Sequence, residues 1–141
     1  MASDRYPDPR NGPLQRALAI SEKVLGPEHQ DIAASLDNLA TLSYAQGRYA
    51  EAEHLYKRAI AIDERALGPE HPDVATGLSN LATFFVDQGR HADVEPLYKR
   101  ALSINEKILG LDHPNTQAVR GFLRAAVMMD PKYLTAGKSK H

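Results

Sequence analysis

The amino-acid sequence predicts an all-α fold, a short solenoid of stacked antiparallel helix pairs. Three observations predict it: a segment recurs at a constant period, each copy carries apolar residues at helical spacing, and glycine and proline fall where helices must stop. Leu25-Gly26-Pro27-Glu28-His29 returns as Leu67-Gly68-Pro69-Glu70-His71, and more loosely as Leu109-Gly110-Leu111-Asp112-His113. The spacing is 42 residues each time, and 23 of 42 positions are identical between Asp31–Pro72 and Asp73–Pro114. Shared composition does not produce that level of self-similarity.

Each copy reads as two helices. The first spans about Asp31 to Gln46, with Ile32, Leu36, Leu39, Ala40 and Ser43 on one face as its core stripe. Asp31 is expected to accept the orphan amides of the first turn, and Gly47 to end the helix in the left-handed conformation. The second helix, about Tyr49 to Leu67, is expected to bury Ala52, Leu55, Ala59 and Ile62 and to leave Lys57, Arg58 and Glu64 in water. Glu53 and Lys57 form an i,i+4 pair. The next copy repeats the pattern with Val74, Leu78, Leu81, Ala82 and Phe85, a stop at Gly89, then Leu97, Ala101 and Ile104 before Gly110. Pro96, a turn into its helix, removes a backbone donor and is expected to delay or kink that helix.

Partial copies flank these. Leu14, Ala17, Leu18, Ile20 and Leu25 match a second helix without its partner, and Asn115 to Met129 matches a first helix without a successor, so six helices are expected. Arg124 falls where Ala40 and Ala82 allow close approach, which requires that no second helix packs there. The chain is therefore divided into a flexible N-terminal segment (1–12), a solenoid (13–130) and a basic flexible tail (131–141). The solenoid comprises a partial repeat (13–30), two full repeats (31–72 and 73–114) and a partial capping repeat (115–130).

Bulk properties narrow the function. At 141 residues there is room for one domain, and 43% hydrophobic and 25% charged residues with a formal net charge of -1 describe an ordinary soluble chain. No broad electrostatic partner such as nucleic acid is implied. Cysteine is absent, which removes disulfides and thiolate chemistry. Met1 to Pro13 holds no apolar run of signal-peptide or membrane-spanning length, so a cytoplasmic location without membrane contact is expected.

Asn38-Leu39-Ala40, Gln46-Gly47-Arg48-Tyr49, Leu55-Tyr56-Lys57-Arg58-Ala59 and Leu67-Gly68-Pro69-Glu70-His71-Pro72-Asp73, at their 42-residue spacing, resemble the tetratricopeptide repeats of the kinesin light chain type. The resemblance covers about Leu14 to Met129. It implies a right-handed superhelix whose first helices line a concave groove for an extended or helical peptide. Mapped onto this chain, the implied groove residues are Asp37, Asn38, Thr41 and Tyr44, then Ser79, Asn80, Thr83, Val86 and Asp87, and finally Phe122 and Met128. Ala34 and Ala45, Thr76, and Ala118, Gly121, Ala125 and Met129 fall on the same stripes. Independently, helical periodicity leaves these stripes mostly off the apolar face. Asn38 and Asn80 are the leading pair, since an amide can donate to and accept from a peptide backbone at once. Their alternative role is to cap or bridge neighbouring helices.

Other motifs read as architecture. His29, His71 and His113 are one repeat apart, too far for metal-ligand distances of about 2 Å, so no metal site is expected. Glu28-His29 and Glu70-His71 recur in each copy, whereas an active site needs one convergent constellation. Lys57-Arg58 and Lys99-Arg100 sit among acidic residues as a solvated face. The expectation is a non-enzymatic module, without cofactor, that binds a protein or peptide. The alternatives are a homo-oligomer self-associating through exposed solenoid ends, or a fragment of a larger scaffold.

Overall fold

A computed structural model describes residues 12–133, and the described residues fold as helices joined by short turns. Among the described residues six helices follow in order: α1 (Pro13–Leu25), α2 (Gln30–Ala45), α3 (Tyr49–Leu67), α4 (Pro72–Asp87), α5 (His91–Ile108) and α6 (Pro114–Met129). The chain divides into two compact units, residues 1–66 and 67–141. Most of the expected N-terminal segment (1–11), and 134–141 of the expected tail, lie outside the described residues.

In the first unit, α2 buries Ile32, Ala33, Leu36, Leu39, Ala40 and Ser43, and α3 buries Ala52, Leu55, Ala59 and Ile62. The three-to-four-residue spacing thus places one stripe of each helix in the core. Ile32, Leu36 and Ile62 are fully buried, each contributing roughly 1.5–3 kcal/mol by leaving water. Helix α3 buries more than its apolar stripe, because Tyr56, Ile60 and Asp63 are covered as well. From α1 the core takes Leu18, and Glu22 ties α1 to Arg58 of α3 at 2.9 Å.

The second unit repeats the arrangement. Val74, Leu78, Leu81, Ala82 and Phe85 of α4 are buried, as are Ala101 and Ile104 of α5. Leu97 is only half-buried, because that turn of α5 turns Val94 and Tyr98 inward instead. Helix α6 buries Thr116 and Val119 and leaves Arg124 in water, where the matching Ala40 and Ala82 are fully covered. The i,i+4 pairs form in both units, Lys57 to Glu53 at 2.8 Å and Lys99 to Glu95 at 2.9 Å.

The joints correct one expectation. Asp31 is not the N-cap of α2: the cap is His29, whose Nδ1 accepts the Asp31 amide at 3.1 Å. His71 does the same for Asp73 on α4, and His113 for Asn115 on α6, each at 3.0 Å. Asp31 and Asp73 sit one position into their helices, where a negative charge complements the dipole. The joint glutamates also recur as structure: Glu28 pairs with Arg65, and Glu70 with Lys107 at 2.9 Å.

Turns within the pairs are equally regular. After α2, Gly47 takes φ 76°, and the Arg48 amide reaches back to the Ser43 carbonyl at 2.8 Å. That six-to-one bond closes a Schellman turn, which glycine enters without the Cβ penalty. After α4, Gly89 and the Arg90 amide repeat it on Phe85 at 3.0 Å. Pro96 does not delay α5, which starts at His91. Pro96 and Ala92, the two residues whose helical hydrogen bond is lost, are both exposed. At the other end, residues 131–133 form a helical turn. Asp130 Oδ1 accepts its first free amide, Lys132, at 2.9 Å.

Candidate interaction surface

On α2 the stripe grades from half-buried to open. Asn38 and Thr41 are exposed, while Asp37 and Tyr44 are half-buried. The Thr41 hydroxyl donates to the Asp37 carbonyl at 3.0 Å, so at its 3.3 Å contact with Tyr56 the tyrosine hydroxyl is the donor. The Tyr44 ring meets the Tyr49 ring at a tilt of 51°, with ring centroids 5.8 Å apart. Burial, reinforced by the neighbouring Asp63 carboxylate, pushes the Asp37 carboxyl up to about 6. Its Oδ1 is covered and has no hydrogen-bond partner among the described residues.

The same positions on α4 carry different chemistry on the same frame. Asn80 and Thr83 are exposed, Ser79 is half-buried, and Thr83 meets the Tyr98 hydroxyl at 2.7 Å. Thr41 with Tyr56, and Thr83 with Tyr98, are therefore one hydroxyl pair made twice, 42 residues apart. Asp37 and Asp63 become Ser79 and Asn105 one repeat later, which removes both carboxylates. Burial pushes the Tyr98 phenol up; the Thr83 hydrogen bond opposes the shift and the Asp87 charge adds to it. Val86 is half-buried and Asp87 exposed at the end of this stripe.

On α6 the stripe is apolar. Phe122 is 49% exposed and stacks on Tyr98 at 5.9 Å. Together with Val86 of α4, His91 and Tyr98 of α5, and Ala125, Ala126 and Met129 of α6, it lines a cavity of about 150 Å³ that is open on one side. Met129, rather than Met128, lines that cavity, because 100° per residue carries Met128 to another side of the helix. A second depression, about 380 Å³, is charged and lies where the 131–133 turn meets α5. Glu95 there receives Lys99 at 2.9 Å, Lys132 at 3.7 Å and the Tyr133 hydroxyl at 3.2 Å. The Lys99 hydrogen bond leads in holding its carboxyl below the usual range.

Sequence periodicity located the exposed asparagines, but it did not identify Tyr56, Tyr98 or Asp63 as their surroundings. The signal was present for the tyrosines, since both copies keep tyrosine 15 residues after the threonine. Among the described residues, no group of three or more histidine, cysteine, aspartate or glutamate side chains could hold a metal ion. No described helix is long and apolar enough to cross a membrane.

Helix pairs at a 42-residue period, with a polar stripe repeated on their first helices, define a helical-repeat protein of the kind that serves as an interaction module. The chain belongs to the tetratricopeptide repeat family, whose model matches residues 14–65 and 31–107, and its repeats are of the kinesin light chain type. It is similar to the nearly identical repeats of a Podosopora anserina protein assigned as a kinesin light chain. There the identity is 30% over 80% of this chain and 54% of that one, with a TM-score of 0.71. A single-substitution variant of that protein matches at 29% identity over 87% of this chain and 58% of that one, with a TM-score of 0.75. BtubC (BKLC) from P. vanneervenii shares the fold, at a TM-score of 0.67 and 23% identity over 91% of this chain and 56% of that one. Nephrocystin-3 of Xenopus laevis and of Xenopus tropicalis is 44% identical over 45 residues, 32% of this chain. That match spans only 4% and 3% of the two nephrocystins, and the chain covers little more than half of the Podosopora protein.

Proposed function

We propose that the chain is a non-catalytic interaction module whose first helices each take a stretch of partner polypeptide. Asp37, Asn38, Thr41 and Tyr44 would contact it on α2; Ser79, Asn80, Thr83, Val86 and Asp87 on α4; and Phe122 and Met128 on α6. One observation carries the reading: an exposed asparagine beside a threonine-tyrosine hydroxyl pair occurs at the same place in both full repeats. An amide there can satisfy a peptide N–H and C=O together, and a copy in each repeat sets the register of the guest. With so few repeats the contact area is small, so affinity is expected in the micromolar range, about 8 kcal/mol. Peptides selected from a random display library, then measured by fluorescence polarisation, test this. Asn38→Ala with Asn80→Ala is expected to weaken binding by about tenfold or more. Unchanged affinity in the double variant removes the assignment.

A second reading is self-association. Leu14, Ile20 and Val24 of α1, and Phe122, Met128 and Met129 of α6, are large apolar side chains in water, the kind of surface that another chain covers. A third is that these repeats serve a longer scaffold, as the small share of nephrocystin-3 they match suggests. No membrane, nucleic-acid, metal or cofactor role enters any of the three, and a cytoplasmic setting suits all of them.

A further inference from the structure

We infer that, within the first unit, the Asp37 carboxylate of α2 receives the side-chain ammonium of a lysine in the partner polypeptide, so that the first full repeat selects a cation where the second does not. This rests on the interaction reading above and adds the chemistry of one occupant.

An unpaired carboxylate sets the charge. Asp37 is half-buried on the contact stripe, with Ala34, Asn38 and Thr41 of the same helix exposed around it. Among the described residues neither a hydrogen bond nor an ion pair engages its carboxylate, and α2 contains no lysine or arginine. Burial removes part of the water that would solvate the charge, and the neighbouring Asp63 carboxylate opposes it further, which pushes the group up to about 6. Whatever else Asp63 touches, it offers Asp37 no cation. At pH 7.5 the Asp37 side chain is still mostly ionised, so the chain carries a partly desolvated charge that its own fold does not compensate. A guest cation relieves that cost on arrival, whereas an apolar side chain leaves it and an acidic one adds to it.

Coverage sets the kind of cation. Oδ1 is covered and without a partner, which leaves Oδ2 as the oxygen that a guest can meet. A guanidinium fork uses both carboxylate oxygens for its two parallel bonds, whereas an ammonium is a point charge that one oxygen can receive. The second repeat supplies the contrast: it keeps Asn80 and Thr83 in place of Asn38 and Thr41, but Ser79 stands where Asp37 does. Both stripes therefore offer the same amide to a peptide backbone, and the first alone adds a negative charge beside it at this place.

Capped pentapeptides titrated into the full chain, with backbone amides observed by NMR, test the inference: acetyl-Ala-Ser-Lys-Ser-Ala-amide and its counterparts with norleucine, arginine or glutamate at the centre. The lysine peptide is expected to give saturable shifts at the Asp37, Asn38 and Thr41 amides, with a Kd about tenfold below the norleucine and glutamate peptides. The arginine peptide is expected to fall between lysine and norleucine. Asp37→Asn, which keeps the shape of the side chain, and Asp37→Ser, which installs the residue of the second repeat, are both expected to make lysine and norleucine equal. Absence of saturable shifts, equal affinity for lysine and norleucine in the native chain, arginine bound as tightly as lysine, or a lysine preference that survives both variants overturns the inference. A peptide selected from the display library separates it from the reading beneath. Loss of affinity in the double asparagine variant but not in Asp37→Asn leaves that reading standing and removes this inference; the opposite pattern removes the asparagine assignment and keeps the carboxylate contact.

Discussion

At Asp37, two repeats of closely matching sequence part company. The frame around it, Leu36 and Leu39 buried below and Thr41 above, recurs around Ser79, yet only the first copy sets a carboxyl there beside a buried aspartate. Its pKa, raised from 3.8 to about 6 chiefly by burial, means that the folded chain holds this proton more tightly than the unfolded chain. The contribution of this group to stability is therefore greatest where it is protonated in both states, below about pH 4, and falls as pH rises towards 6. Asp37→Asn removes the penalty. At pH 7.5 it is expected to raise unfolding stability by on the order of 1 kcal/mol, discounted because solvent reaches part of the side chain, and to change little at pH 4. Urea titrations at the two pH values check this; equal gains at both contradict the charge argument. The histidine caps make a second residue-scale prediction. His71→Ala is expected to cost about 1 kcal/mol, and His71→Asn, which keeps a side-chain acceptor, a few tenths, as read from thermal melts. Equal losses would mean that the imidazole acts by packing and not by accepting the Asp73 amide.

At the scale of elements, the helices and their stops were legible because they follow from local rules. Ile32 to Ser43 and Ala52 to Ile62 repeat at helical spacing, and Gly47 and Gly68 stand where a positive φ ends a helix. Gly47→Ala places a Cβ on a residue at φ 76°, where an L side chain costs about 1–2 kcal/mol. A Cβ there would meet no atom within 4 Å, so the whole loss is backbone strain. A matching drop in urea midpoint with an unchanged m-value is the expected signature. The caps were less legible, because aspartate is the commoner capping residue and Asp31 stands two positions beyond the histidine that does the work. At Pro96 a late start does not follow, because α5 begins at His91 and a rule about a lost donor does not say whether the residues around the lost bond face protein or water. Tyr56 and Tyr98 escaped because their hydroxyls meet threonines on another helix, a relation that no single-helix period encodes.

For the whole molecule, the repeat fixed the architecture before any side chain was placed, since amphipathic helix pairs bury their stripes by stacking. The exposed stripe on α2 and α4 followed from the same period, whereas the cavity beside α6 did not, being assembled from three helices. Phe122, Met128 and Met129 of α6 are exposed large apolar side chains, the surface through which self-association would run. If self-association is the role of that face, light scattering is expected to show a mass that rises with concentration, and Met128→Lys with Phe122→Lys to return the mass to that of one chain. A constant single-chain mass across the series rules self-association out.

The joint histidines carry one more consequence. A ring whose Nδ1 accepts an amide carries its N–H on Nε2, so each of the three caps selects the Nε2–H tautomer for as long as the start of its helix is intact. Nitrogen-15 spectroscopy distinguishes that tautomer from the freely exchanging mixture of an unfolded chain. Each of these helix starts thus contains its own spectroscopic reporter, able to reveal in what order the three starts unwind during denaturation without any label being introduced.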